Sequence, residues 1–111
     1  MPNPHTVTVT VGANNKVDCK PDPVPVNGPN VKLKFELATD GYVFAAQDAI
    51  VVTDGGSEFP DRSKTASDGK TATLHDKNSA RAYFKYTVTL QPAGGGQPIV
   101  YDPGIQNENG G

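Results

Sequence analysis

Tyr83-Phe84-Lys85-Tyr86-Thr87-Val88-Thr89-Leu90 is the strongest strand signal in the chain. Its aromatic and β-branched residues alternate with period two, the mark of a strand with one face buried. Phe84, Tyr86, Val88 and Leu90 share the face expected to be buried, and Tyr83, Lys85, Thr87 and Thr89 share the other. The second cleanest run is Val31-Lys32-Leu33-Lys34-Phe35-Glu36-Leu37, with its apolar residues inward and its charges outward. A slip of one residue would invert either pattern, so the register of both strands is strongly specified.

Shorter strands follow outward from these two. Thr6-Val7-Thr8-Val9-Thr10-Val11 alternates strictly, and Lys16 to Lys20 is a brief second run. Pro21-Asp22-Pro23-Val24-Pro25-Val26 carries prolines at alternate positions, and each removes a ladder donor. That segment is expected to be extended, at an edge or crossing between sheets. Asn27 to Asn30 is a turn by composition. Tyr42-Val43-Phe44 and Ile50-Val51-Val52 are short apolar runs, and Ala45 to Ala49 between them is read as one helical turn. Asp54 to Lys70 is a long polar loop with room for one edge strand. Thr71 to Leu74 is a strand, His75 to Ala82 a polar connection, and Ile99-Val100-Tyr101 the last strand.

The 111 residues form one domain, long enough to bury a core without metal or disulfide support. Twelve glycines and ten prolines favour many short strands over a few helices. The expectation is an all-β Greek-key sandwich, immunoglobulin- or cupredoxin-like, of roughly seven to nine short strands. It spans 1–105, with 106–111 a polar, frayed tail.

The net charge of −2 and the absence of a basic stripe exclude a nucleic-acid footprint. No apolar run reaches membrane-spanning length, and Met1 to His5 lacks the basic start and apolar run of a secretory signal. With Cys19 as the single cysteine, no disulfide can form within the chain. A cytoplasmic address is the expectation.

The chain resembles the DP-EP family of small bacterial proteins. The resemblance rests on the Thr/Val-rich opening, Pro21-Asp22-Pro23, the Val31-to-Leu37 strand and Gly41-Tyr42-Val43-Phe44. It continues through Ala49-Ile50-Val51-Val52, Phe59-Pro60, Tyr83 and Tyr86-Thr87-Val88, and ends on Asp102-Pro103-Gly104-Ile105-Gln106-Asn107. It implies a β-sandwich and brings no established activity and no catalytic residues. A wider resemblance links Val24 to Leu33 to the edge-strand, glycine-turn, strand unit of cupredoxin-like sandwiches. A blue-copper site needs two His, one Cys and usually an axial Met. Here Cys19 precedes the matching unit, Met1 opens the chain and no His follows a Cys at ligand spacing. No metal or cofactor is therefore expected.

The chemistry-bearing residues read as structural. Cys19, between Asp18 and Lys20, is a small core residue; its alternative is a thiolate activated by Lys16 or Lys20. His5 and His75 are solvated strand-end residues, although His75 with Asp76 has the composition of an acid–base pair. Ser67 and Ser79 lie in no nucleophile signature. Asp76-Lys77-Asn78 has two oxygen ligands of a calcium-loop pattern but reads as a self-bonded turn. At Asp102-Pro103-Gly104, Pro103 fixes φ, Asp102 bonds nearby amides and Gly104 lets the chain reverse. Tyr42, Phe44, Phe59 and Tyr101 are read as core rather than as an exposed patch.

The sequence thus points to a non-enzymatic domain that acts through an unknown protein partner or by self-association. The expected contact is an edge strand at Ile99, Val100 and Tyr101 with the adjoining Asp102-Pro103 turn. A metal-binding or redox protein using Cys19 and a histidine is one alternative. A small hydrolase with its site in the 54–70 loop is the other.

Overall fold

A computed structural model describes residues 5–79 and 81–108. Its strands are β1 (His5–Gly12), β2 (Lys16–Lys20), β3 (Val24–Val26), β4 (Val31–Leu37) and β5 (Tyr42–Phe44). They continue as β6 (Ile50–Val52), β7 (Lys64–Thr65), β8 (Thr71–Asp76), β9 (Ala82–Pro92), β10 (Ile99–Tyr101) and β11 (Gly104–Asn107). They pack as two sheets, and the all-β sandwich is the observed architecture.

The first sheet runs β2-β1-β4-β8-β7. The second is built on β9. β5 and β6 lie along one side of it, β10 and β11 along the other, and β3 lies outside β11. β1 with β4, and β3 with β11, are parallel pairs. They arise because the chain leaves the first sheet after β2, adds β3 to the second, and returns as β4. The crossing is Pro21-Asp22-Pro23, and the return is the Asn27–Asn30 turn, where Gly28 takes a φ of +81°. β3 is an edge strand, as its prolines require.

Among the described residues, eleven strands replace the expected seven to nine because two long lines along β9 are interrupted. β10 and β11 keep one register: Tyr101 faces Val88 and Gly104 faces Lys85, with only Asp102-Pro103 between. On the other side, Phe44 faces Leu90 and Ile50 faces Val88, so Ala45–Ala49 is an excursion. It is not the expected helical turn. Ala45 N–H donates to Thr89 O and Thr89 N–H donates to Ala49 O, which pins both ends of the excursion to one residue. The expected edge strand of the long loop is β7.

Two boundaries move. β8 continues through Asp76, and β11 carries Gln106 and Asn107, with Asn107 fully buried. Gln106 and Asn107, expected in the polar tail, are therefore strand residues, and Glu108 N–H donates to Val26 O, while 109–111 lie outside the described residues.

Both signature strands keep their expected faces. Val31, Leu33, Phe35, Leu37, Tyr86, Val88 and Leu90 are buried, and Lys32, Lys34, Glu36 and Lys85 are exposed. Phe84 is half-buried and packs edge-on against Phe59, ring centroids 5.2 Å apart. Phe35 and Tyr86 bridge the two sheets at 5.4 Å, within the range of a favourable aromatic pair. Among the described residues, no helix is long and apolar enough to cross a membrane.

Candidate functional site

Ile99, Val100, Tyr101, Asp102 and Pro103 lie on the outer line of β9. Tyr86 N–H donates to Pro103 O at 3.0 Å. Backbone direction alternates along an antiparallel strand. In this unbroken register Ile99 and Tyr101 therefore turn their peptide groups toward β9, and Val100 and Asp102 turn theirs away. Gly104, on the same alternation, sends its N–H outward to Asp22 Oδ1 at 2.8 Å. Among the described residues no strand pairs with the far side of β10. Val100 is 63 % exposed, while Ile99 and Tyr101 pack against the core.

The turn residues have other partners than expected. The Asp102 carboxylate accepts the Thr87 hydroxyl at 2.7 Å and takes none of the backbone amides expected of it. Gly104 does not reverse the chain, which stays extended along β9. Its lack of a side chain makes room instead: an added Cβ would sit 2.7 Å from Tyr83 Cζ. The Asp22 carboxylate holds the junction of β10 and β11, accepting the Gly104 amide and the Tyr101 hydroxyl, the latter at 3.3 Å. Partial desolvation and the nearby Asp22 charge raise the Tyr101 pKa and keep its hydroxyl protonated. The bond from Asp22 across 82 positions of sequence carried no local signal.

The aromatics expected in the core are there. Phe44 is buried, and Tyr42, Phe59 and Tyr101 pack against the core. Among the described residues, the exposed large apolar side chains are Val51, Tyr83 and Val100, all on the outward alternation of the second sheet.

Cys19 is 1 % exposed and faces inward beside Tyr86. Burial pushes its thiol up to about 12, with Asp22 and Asp18 adding to the shift. The same burial raises the Tyr86 phenol. The two groups feel each other's field, yet the Tyr86 hydroxyl makes no hydrogen bond of proper geometry. A protonated, enclosed thiol is a poor nucleophile and a poor metal ligand.

The histidines stand apart from Cys19. His75 alternates with buried Leu74 and Asp76, so it lies on the outer face of the first sheet. Its Nδ1 is 3.6 Å from Asp61 Oδ2; Asp76, the partner suggested by sequence, lies on the opposite face. His5 is half-buried rather than freely solvated, and its Nε2 accepts the Asn27 amide at 3.1 Å. Ser79 bonds the Glu58 carboxylate rather than a histidine. Among the described residues, no three His, Cys, Asp or Glu side chains gather so as to hold a metal.

The sequence reading missed a buried polar node. Asp76, Asn78 and Asn107 are all fully buried. Asp76 Oδ1 accepts the Asn78 amide at 2.9 Å, which is the self-bonded turn expected there. Asn78 Nδ2 donates to Val26 O at 3.1 Å and Gly28 O at 2.8 Å, stapling β3 to the end of β8. Asn107 Nδ2 donates to Asp76 Oδ1 at 3.1 Å. The Glu58 carboxylate binds the Ser79 amide at 2.8 Å and reaches Asn107. The available signal was alternation: Asp76 follows Leu74, and Asn107 follows Ile105, at the inward spacing of two.

No family model matches the chain, and no curated protein matches it.

Proposed function

We propose that this protein is a non-enzymatic association module that pairs with a second copy of itself through the β10 edge. One observation carries this reading: Val100 presents both its peptide groups and its side chain at an edge with which no described strand pairs. Two copies meeting antiparallel there would exchange the Val100 N–H and C=O bonds about a two-fold axis, a self-complementary contact. Pro98 and Pro103 flank the strand and confine the pairing to this short run.

Charge favours a second copy. The outer face of the first sheet exposes Lys16, Lys20, Lys32, Lys34 and Lys64 against Asp18 and Glu36, a face that repels its own copy. The outer face of the second sheet exposes Lys85 and Asp102 among Tyr83, Val51 and Val100, and is close to neutral.

The DP-EP and cupredoxin-like resemblances belong to this reading. The crossing from edge strand β3 through the Gly28 turn into β4 supports the cupredoxin-like part. The single cysteine, buried and unpaired, is compatible with a cytoplasmic address.

Val100→Pro tests the reading. It removes one outward donor at a position whose amide β9 does not use. The variant should keep the wild-type circular dichroism spectrum and sediment as a monomer at concentrations where the wild type dimerises. A folded variant with unchanged association, or a wild type that stays monomeric into the millimolar range, overturns the proposal. An unfolded variant would place the Val100 amide inside a ladder and would overturn it equally.

A further inference from the structure

A cleft opens at the sandwich edge remote from β10. β7 is only two residues long and pairs with Thr73 and Ala72, so on the side away from β4 no described strand pairs with β8 from Leu74 onward. The segment around Asp61 and Arg62 passes there instead. On one side of that segment lies a groove of about 400 Å³ walled by Ile50, Val52, Phe59, Pro60 and Leu74. On the other lies a hollow of about 140 Å³ bounded by Lys32, Lys64, His75 and Thr73. Asp61, Arg62 and Leu74 border both, so the two are halves of one feature.

The apolar half is built, not incidental. Gly55 is buried with an ordinary φ of −71°, so the backbone does not demand glycine. Space does: a Cβ there would meet Phe59 Cδ1 at 2.6 Å and Val52 Cγ1 at 2.9 Å. The close seat against Val52, with the edge-on contact to Phe84, fixes the Phe59 wall. The loop is held at both ends. Ile50 N–H donates to Ser63 Oγ at 3.2 Å, and Lys77 N–H donates to Glu58 O at 2.8 Å. A wall fixed in advance costs a ligand little ordering.

The polar half is cationic. Lys32 and Lys64 flank β8 on the same face, opposite His75 and Thr73 respectively. Neither lysine has an ion-pair partner among the described residues. Arg62 makes one loose contact, 3.8 Å to Asp48, with its side chain 82 % exposed. Against these three cations and His75, the feature holds two acids, Asp61 bordering both halves and Asp48 bordering the groove.

We infer that this cleft binds a small amphipathic organic anion. Its carboxylate or phosphate head would lie among Lys32, Arg62 and Lys64, and its apolar body, of single-ring size, against Phe59, Pro60 and Val52. Arg62 sits where the halves meet and presents a planar fork suited to an oxyanion.

Amide chemical-shift titrations of the whole protein with phenylacetate, phenyl phosphate, inorganic phosphate and benzyl alcohol test the inference. At least one of the two aromatic anions should saturate in the millimolar range, with shifts clustered on 50–52, 59–64 and 73–75. Benzyl alcohol and inorganic phosphate should each bind at least about tenfold more weakly than that ligand, since each keeps one half of the contact. The two anions, compared with each other, separate a carboxylate site from a phosphate site. Arg62 and Lys64 are exposed, so Arg62→Ala with Lys64→Ala should fold normally and lose about tenfold in affinity, while Lys16→Ala should bind as wild type. Failure of both aromatic anions to saturate, unchanged binding in the double variant, or inorganic phosphate binding as tightly as phenyl phosphate would overturn the inference. None of these results depends on the β10 edge.

Discussion

Asp76 is fully buried, and its Oδ2 has no hydrogen-bond partner. Burial raises its pKa above the usual carboxylate value of 3.8, and the Glu58 charge adds to the rise. The bonds from Asn78 and Asn107 oppose it without cancelling it. The folded state therefore holds this proton more tightly than the unfolded chain does. The resulting contribution to stability is full below pH 3.8 and is lost as pH rises through the raised, folded-state value. Asp76→Asn keeps an acceptor for both amides and removes the buried charge. Its denaturation midpoint should exceed that of the wild type at pH 7, with the gap closing toward pH 4. A gap that is constant with pH would place the wild-type proton elsewhere. At this scale the sequence was legible where chemistry and alternation agreed, as at Cys19, and silent where they conflicted. Asp76 and Asn107 occupy inward positions but are polar, so they read as connection and tail. Only partners from β3, β11 and the Glu58 turn make their burial tolerable.

The long alternating elements were legible because a half-buried strand writes its face into the sequence. β4 shows this over its whole length, and β1 and β9 over most of theirs. The short elements were not. Ala45–Ala49 has the composition of a helical turn, but its form is set by two backbone bonds to Thr89, a partner with no local signature. Gly104 reads like a reversal, yet it serves the Tyr83 ring on the neighbouring strand. Glycines chosen for space differ from glycines chosen for conformation, and Gly55 allows a direct test. A methyl group there collides with Phe59 and Val52. Gly55→Ala should cost about 1–3 kcal/mol, the usual penalty of overpacking. Gly94, whose added Cβ would meet nothing within 4 Å, is the control. Gly94→Ala should be neutral or stabilise by up to about 1 kcal/mol through the unfolded state. Urea denaturation of both variants measures the difference, and equal midpoints would mean that the Phe59 wall yields freely.

Over the whole molecule, the two outward faces differ in electrostatics although the chain's net charge is only −2. The first sheet gathers Lys16, Lys20, Lys32, Lys34 and Lys64, and the second exposes Lys85 beside Asp102. Ionic strength therefore reports which face meets a partner. A contact between two lysine faces would be opposed by repulsion that salt screens, so association would strengthen as salt rises. A contact through β10 brings Lys85, Asp102 and the Asp22 beside Tyr101 from each copy toward a two-fold axis, a mixed set whose repulsion is far smaller than that between two lysine faces. The Debye length falls from about 10 Å at 0.1 M to about 3 Å at 1 M, so salt separates the two cases. Sedimentation at low and high sodium chloride should return dimer constants within about threefold of each other. Dimerisation that tightens by about tenfold or more in high salt would put the lysine face at the contact and remove β10 from it.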